Sequence, residues 1–443
     1  MIEVAAFRGP GGRAFLLMWG GQFVSMIGSG LTGFSLGVWI YQRTASTTQY
    51  GLVTFCATVP PLLVLPLAGP LIDRCNRKRL LVACDLIGVA TSAAVGILAR
   101  LDALSLPCAC VIVAVTAAAT AFQFPAYSAT VTVLVPREQL GRASGMTQLA
   151  FAVPQVVAPL LAGVLITSIG LFGVAVVDCA TFLFSTAALL IASIPSGAPS
   201  AGGHPSYWTD IPLGWKYVFG QTGLLALLLM FTAVNFFSEL ATVVFTPLVL
   251  SFSTPAVLGT ILAVGGLGMI LGSAVMSLWG GPRRPAQGAA SFAALGGVAV
   301  MAAGFTTSAP LLAAAVFLFL FCLPVMAGSS QVLWQRVVPA ELQGRVLSVR
   351  ATIALSAVPL ASLLAGPLVD RVCEPAMAPS GALSGWLGPI LGTGRGRGIA
   401  LILVVAGALS MVAALSACLY GPLRRLDETA TVSSAPTPAW VKS

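Results

Sequence analysis

The sequence predicts an all-α integral membrane protein of twelve transmembrane helices in two six-helix bundles, and three observations predict it. The chain of 443 residues is 58% hydrophobic and 8% charged, whereas soluble domains carry about 25% charged residues. Its apolar residues gather into long stretches, and a helix needs about 20 such residues to cross a hydrocarbon core of about 30 Å. Its cations segregate to one side once those stretches are drawn as spans.

Taken in order, hydropathy and the Gly, Pro and charge punctuation place spans at 13–42, 50–72, 80–100, 107–134, 143–168 and 171–193. A second set follows at 221–250, 256–280, 287–306, 309–335, 345–370 and 398–420. Arg8 and Arg13 lead directly into the first span, which exceeds a secretory h-region in length and is read as the insertion signal. The N-terminal bundle is then 1–193 and the C-terminal bundle 221–420. Between them, 194–220 is a Ser/Gly/Pro-rich cytoplasmic linker ending in an interfacial segment with Trp208, Trp215, Lys216 and Tyr217. The stretch from Arg371 to Gly398 is the longest outer loop, and 421–443 is a polar tail expected to be disordered.

With the N-terminus inside, Lys and Arg divide seventeen inside to five outside, the latter being Arg43, Arg100, Arg371, Arg395 and Arg397. That asymmetry places both termini in the cytoplasm and supports the count of spans. It also accounts for the net charge of +9 without nucleic acid. The nine cysteines lie mostly in apolar stretches with no CxxC pair, and there is one histidine, so neither a metal site nor a redox motif is supported. Cys108, Cys110 and Cys373 fall near the outer face, where a disulfide is an open alternative.

The strongest organisational signal is a duplication. Val135-Pro136-Arg137-Glu138-Gln139-Leu140-Gly141-Arg142 recurs as Val338-Pro339-Ala340-Glu341-Leu342-Gln343-Gly344-Arg345, and the same offset aligns Leu160–Gly163 with Leu363–Gly366. Each bundle is therefore a copy of the other. A fainter echo joins Ala68-Gly69-Pro70-Leu71-Ile72-Asp73-Arg74 to Ala365-Gly366-Pro367-Leu368-Val369-Asp370-Arg371, one at an inner end and one at an outer end, as inverted three-helix units require.

After the second span, Gly69, Asp73, Arg74, Arg77, Lys78 and Arg79 form a loop with one carboxylate ahead of a basic run. This loop resembles the signature loop of the major facilitator superfamily, with Asn76 where a second glycine usually stands. Asparagine tolerates the left-handed conformation better than most residues, so the turn is expected to survive. The resemblance implies a major facilitator fold and a gating role for Gly69, Asp73, Arg74, Arg77 and Arg79; topogenic charge alone is the competing reading, which explains Asp73 poorly. Glu138/Arg142 and Glu341/Arg345 are either inter-half contacts on the inner side or helix caps. With the 210–217 segment and the opening Gly21–Gly28, these loops resemble the macrolide-efflux and siderophore-export branch of drug:proton antiporters. Pro154–Gly163 is similar to the antiporter motif of drug exporters, with alanine at two of its glycines.

Ionisable groups inside spans are costly and therefore default functional candidates. Glu239 is the first proton-coupling candidate, with Asp178 and Asp85 after it; binding a cationic group of the cargo is the alternative for Glu239. Asp85, beside the basic loop, is also read as a structural partner of Arg77 or Arg79. Polar cavity candidates are Gln22, Ser25, Thr32, Gln123, Gln148, Gln155, Asn235, Ser238 and Gln331, since the resemblance implies that helices one, four, seven and ten line a central path; helix-joining hydrogen bonds compete with that reading.

Gly28, Gly30 and Gly33 satisfy GxGxxG inside an apolar helix, where a dinucleotide site fails and a packing face remains. No GxxxxGKS/T loop, nucleophile or metal cluster supports an enzyme. The expectation is therefore a monomeric secondary transporter of a bacterial plasma membrane, without cofactor, exporting an amphiphilic drug or secondary metabolite against protons. A dedicated siderophore or metabolite exporter and a non-transporting sensor or scaffold are the alternatives.

Overall fold

The structure, a computed structural model, describes residues 10–74, 76–136, 139–194, 215–338, 343–394 and 396–432. Six long helices build the first half: α1 (Pro10–Thr44), α2 (Thr47–Arg74), α3 (Arg77–Arg100), α4 (Leu106–Leu134), α5 (Leu140–Ser168) and α6 (Gly170–Ile191). Six more build the second: α7 (Thr222–Phe252), α8 (Pro255–Trp279), α9 (Pro285–Gly304), α10 (Ala309–Val337), α11 (Gln343–Pro367) and α12 (Arg397–Leu419). On the described residues eleven of these are long and apolar enough to cross a membrane, and α2, the other, is 28 residues long. The expected spans coincide with these helices. Hydropathy with the Gly, Pro and charge punctuation was sufficient because a chain in lipid must satisfy its backbone groups within each segment.

Local chemistry sets the ends. Ser105 and Thr254 cap α4 and α8 through their hydroxyls, each ahead of a proline in the first turn, and Gly280 closes α8 in the left-handed conformation at φ 75°. Asn76 departs from expectation. It is extended (φ −67°, ψ 111°) and its side chain accepts from the Arg79 amide at 3.2 Å, so it serves as the N-cap of α3 and not as a glycine substitute. Lys78, which topology alone would explain, donates to the carbonyls of Leu190 and Ala192 at 2.8 Å each and so closes the end of α6.

In the first half α1 packs on α5 and α6, α2 on α4, and α3 on α4 and α6. In the second, α7 packs on α11 and α12, α8 on α10, and α9 on α10 and α12. Adding six to each helix number converts one pattern into the other, as a duplicated six-helix unit requires. The halves meet along α2–α11 and α5–α8, a pair of seams related by the same rule.

The end of the chain differs from expectation. Gly421–Val432 forms a further helix, α13, where a disordered tail was expected. Leu423 is buried, Leu426 packs against Gly223 of α7, and Asp427 accepts from the amides of Ala286 and Gln287 at the start of α9. Polar composition concealed it because only a few residues of α13 face the bundle.

Candidate functional site

Small residues let the two halves approach. A Cβ on Gly51 of α2 would stand 2.8 Å from the Ser362 carbonyl of α11, and one on Gly366 would meet the backbone of Thr48. Along the other seam, Gly163 lies against the Pro255 carbonyl and Gly259 against that of Pro159. These contacts lie toward the face opposite the termini, where Val38 of α1 also joins an apolar cluster built mostly from α7, α8, α11 and α12.

Glu239, at mid-length of α7, stands directly behind the α2–α11 seam. Its Oε1 accepts from Ser362 Oγ at 2.8 Å, and the carbonyl of the same serine abuts Gly51 of the opposite half. Tyr50, next to Gly51, interacts with Thr246 and with the charge of Glu239. An ionisable group is thus one residue removed from a backbone contact between the halves. Ser362 and Tyr50 were not singled out by sequence, since a lone serine or tyrosine in an apolar stretch carries no periodic signal.

Asp85 has a different setting. It is fully buried, and its described partners are neutral: Gln22 Nε2 donates to it at 3.2 Å, Gln123 Nε2 at 2.7 Å and Ser185 Oγ at 2.7 Å. Gln22 Nε2 also donates to Ser185 Oγ at 2.9 Å, and Gln123 Nε2 to Gln22 Oε1 at 2.8 Å. Side chains from α1, α3, α4 and α6 therefore close one network, and the expected pairing of Asp85 with Arg77 or Arg79 is replaced by it. Asp178 accepts from Ser92 Oγ at 2.6 Å, and Gly28 of α1 leaves the space in which its carboxylate sits. The two acids answer each other: Asp85 of α3 takes the serine of α6, and Asp178 of α6 takes the serine of α3. On both helices the serine follows the acid by two turns, which brings acid and serine to one face of an antiparallel pair.

The remaining described candidates each have their own surroundings. Ser25 and Thr32 are buried within the first half, and Ser25 Oγ donates to the Gln22 carbonyl. Gln155 is exposed on α5. Asn235 Nδ2 donates to the Ala354 carbonyl at 2.9 Å, tying α7 to α11, and Ser238 is half-buried nearby. Gln331 accepts from Arg350 at 2.7 Å, and that guanidinium also reaches Ser330 Oγ at 3.2 Å and lies over the Trp334 ring. Helix-joining hydrogen bonds, the competing reading for these residues, account for Gln22, Asn235 and Gln123 directly. Of the gating loop, Arg77 and Arg79 are described, and the surroundings of Gly69 and the side chains of Asp73 and Arg74 are not. Glu138 and Glu341, and the side chains of Arg142, Arg345 and Gln148, also lie outside the described residues. Gly28 and Gly30 pack against α6 and α5, as a packing face should, while nothing approaches Gly33. The described cysteines are all free thiols.

Comparison with known proteins bears on these features. The model of the Major Facilitator Superfamily matches residues 18–362. The chain is 24% identical over 368 residues to macrolide efflux protein A of Streptococcus pyogenes, covering 81% of this chain and 90% of that one. It is 27% identical over 383 residues to the multidrug efflux pump Tap of Mycolicibacterium fortuitum, with coverage of 82% and 90%. Among solved structures, a bacterial homolog of the human lysosomal transporter Spinster, inward-facing and unoccupied, superposes with a TM-score of 0.71 at 16% identity, over 97% of this chain and 100% of that one. A bacterial homologue of the iron transporter ferroportin, also inward-facing, gives 0.66 at 13% identity, over 92% and 99%.

Proposed function

The chain belongs to the Major Facilitator Superfamily, a multi-pass membrane transporter and not an enzyme, and from that premise we propose that it exports an amphiphilic drug or secondary metabolite by alternating access coupled to protons. The observation that carries the coupling is the run from Glu239 through Ser362 to Gly51. If the seam between α2 and α11 opens, Ser362 loses its neighbour across the seam and Tyr50 withdraws from Glu239. A carboxyl whose surroundings change with the state of the seam takes up a proton in one state and releases it in the other. The midplane carboxylate therefore senses the gate without belonging to it.

Direction and sidedness have separate supports. Seventeen of the twenty-two Lys and Arg residues fall on the side of the termini, which argues that this side is cytoplasmic. The face at which the described contacts between the halves lie is then the outer one, as expected of a state that loads cargo from the cytoplasm. The relatives named for macrolide and multidrug efflux support an amphiphilic cargo.

The test is efflux from loaded cells or inverted vesicles with a panel of amphiphilic drugs, comparing wild type with Glu239→Gln, with and without a collapsed proton gradient. Export by wild type that is abolished by either perturbation is the expected result. Glu239→Gln retains the Ser362 hydrogen bond, so its loss of gradient-driven export separates coupling from folding. Export that survives the substitution and still depends on the gradient would move the coupling role elsewhere. A panel on which nothing moves would favour a dedicated metabolite exporter over a broad drug pump.

A further inference from the structure

At the face opposite the termini, α11 gives way to a wider, π-type turn over Leu368–Cys373. Such a turn adds a residue to the helical repeat and resets which face the following side chains present. Asp370 sits in it and reaches across the seam to the start of α2. Its Oδ2 accepts from Ser46 Oγ at 2.8 Å and from the Thr48 amide at 2.8 Å, and its Oδ1 from the Thr47 amide at 3.2 Å. Those amides open α2 and have no partner within their own helix. A carboxylate of the second half therefore caps a helix of the first.

Resting on the alternating-access reading above, we propose that Asp370 is the latch of the outer gate: it holds the halves closed at that face and releases α2 when the transporter opens outward. The hydrogen bonds of the latch cross the seam, so they exist only while the seam is closed. They are also dispensable to the fold of α2 itself. Ser46 Oγ additionally accepts from the Gln49 amide at 3.3 Å, which is a local N-cap that stays with α2 after Asp370 departs. A carboxylate added to a helix start that already has its cap stabilises an arrangement of helices more than it stabilises the helix. Adjacent contacts act in the same direction, because Gly366 and Gly51 allow α11 and α2 to close without side chains between them.

The sequence carries the same idea twice. Ala-Gly-Pro-Leu-Ile-Asp-Arg ends α2 on the side of the termini, and Ala-Gly-Pro-Leu-Val-Asp-Arg ends α11 on the opposite side. The inner string resembles a gating loop of the family, and the outer string now has a gating contact of its own. Asp370 then weights the inward-open state by the strength of its charge-assisted cap.

The test is electron–electron distance measurement on spin-labelled protein in nanodiscs, with the nine native cysteines replaced. An outer pair at Gln42→Cys and Ser380→Cys and an inner pair at Ser193→Cys and Arg283→Cys report the two faces, all four positions being exposed. In Asp370→Asn and Asp370→Ala the outer pair should lengthen and the inner pair shorten, with the outward:inward ratio rising about tenfold. Ser46→Ala, which removes the hydroxyl's bond to Asp370 and its local cap on the Gln49 amide but keeps the carboxylate on the Thr47 and Thr48 amides, should give a smaller shift of the same sign and carries the test if the Asp370 variants fail to fold. A wild type that alternates with folded variants that match it would overturn the latch alone. A single population in wild type and variants alike, with or without a proton gradient, would overturn both the latch and the alternating-access reading.

Discussion

Where α1, α3, α4 and α6 meet in the first half, Asp85 collects hydrogen bonds from Gln22, Gln123 and Ser185. In the second half, the residues at the same distance from the starts of α9 and α10 are Ala293 and Met326, and they are buried with Phe231 and Val234 of α7 in one apolar cluster. One plan of helix packing is thus filled in two ways. The apolar filling demonstrates that this meeting of helices closes without a carboxylate. Buried polar networks give weak net stability compared with apolar groups of similar volume, so the first half keeps its network for something other than closure. A proton site or a two-state element in the first half is what such a network offers.

The largest effect expected from this comparison is in the apolar half. Ala293→Asp places a carboxyl in the cluster of Phe231, Val234 and Met326, where Ser238 and Ser410 line the adjacent space but no glutamine pair like that of Asp85 stands among the described residues, and should cost about 4 kcal/mol or more. Loss of the monodisperse folded peak in fluorescence-detected size exclusion would register it. A well-folded Ala293→Asp protein would mean that the two halves tolerate charge equally and that the contrast between them is incidental.

Next in size is Asp85→Leu. It leaves Gln22, Gln123 and Ser185 buried with fewer partners and should destabilise by about 3 kcal/mol. The combined exchange Gln22→Met, Asp85→Ala, Gln123→Met and Ser185→Ala, which copies the filling of the other half, should recover most of that loss in thermal unfolding. Transport should remain absent in the recovered protein. Full transport by the apolar copy would reduce the network to packing, and Glu239 would then stand alone as the coupling group.

Single hydroxyls give a finer measure. Ser185→Ala and Ser92→Ala each remove one donor to a buried carboxylate, worth about 1.5–3 kcal/mol for a hydrogen bond to a charged acceptor and less if the acid is protonated. A smaller loss for Ser185→Ala than for Ser92→Ala is expected, because Asp85 retains Gln22 and Gln123 while Asp178 retains the longer bond from Thr181 at 3.4 Å. Equal losses would indicate that the two acids are held alike.

Legibility in the sequence followed the range of the interaction. The twelve helices, their duplication and the family resemblance rest on hydropathy and on strings that lie within a few turns, and all could be read directly. Glu239, Asp178 and Asp85 could be found because an acid in an apolar stretch is conspicuous. Their partners could not, since Ser362, Ser185 and Ser92 are ordinary residues until the fold brings α7 to α11 and α3 to α6. The two-turn spacing from Asp85 to Ser92 and from Asp178 to Ser185 was the one usable trace. Asp370 lay inside a repeat that the sequence did reveal, but its counterparts across the seam are a lone serine and two backbone amides, and amides have no letter.

The smallest effect concerns a second contrast between the halves. Helix α3 begins at Asn76, which caps it locally, whereas α9 begins at Arg284 without a side-chain cap of its own and takes its cap from Asp427 of α13, at 2.8 and 3.1 Å from the Ala286 and Gln287 amides. Burial lifts the Asp427 carboxyl above its usual range, outweighing the two amide bonds and the charge of Arg284 that pull it down. The docked state therefore holds the proton more tightly than the detached one, so docking is strongest in acid and weakens as pH rises from about 4 through the raised value, then levels off. Asp427→Asn keeps an acceptor and loses the titration, so its docking should be flat across that window, while Asp427→Ala should also be flat and, relative to wild type, cost about 1 kcal/mol on the acid side, less as pH rises. Hydrogen exchange at the Ala286 and Gln287 amides between pH 4 and 8 measures both, and protection that increases with pH in wild type would show that the amides, and not burial, govern this carboxyl.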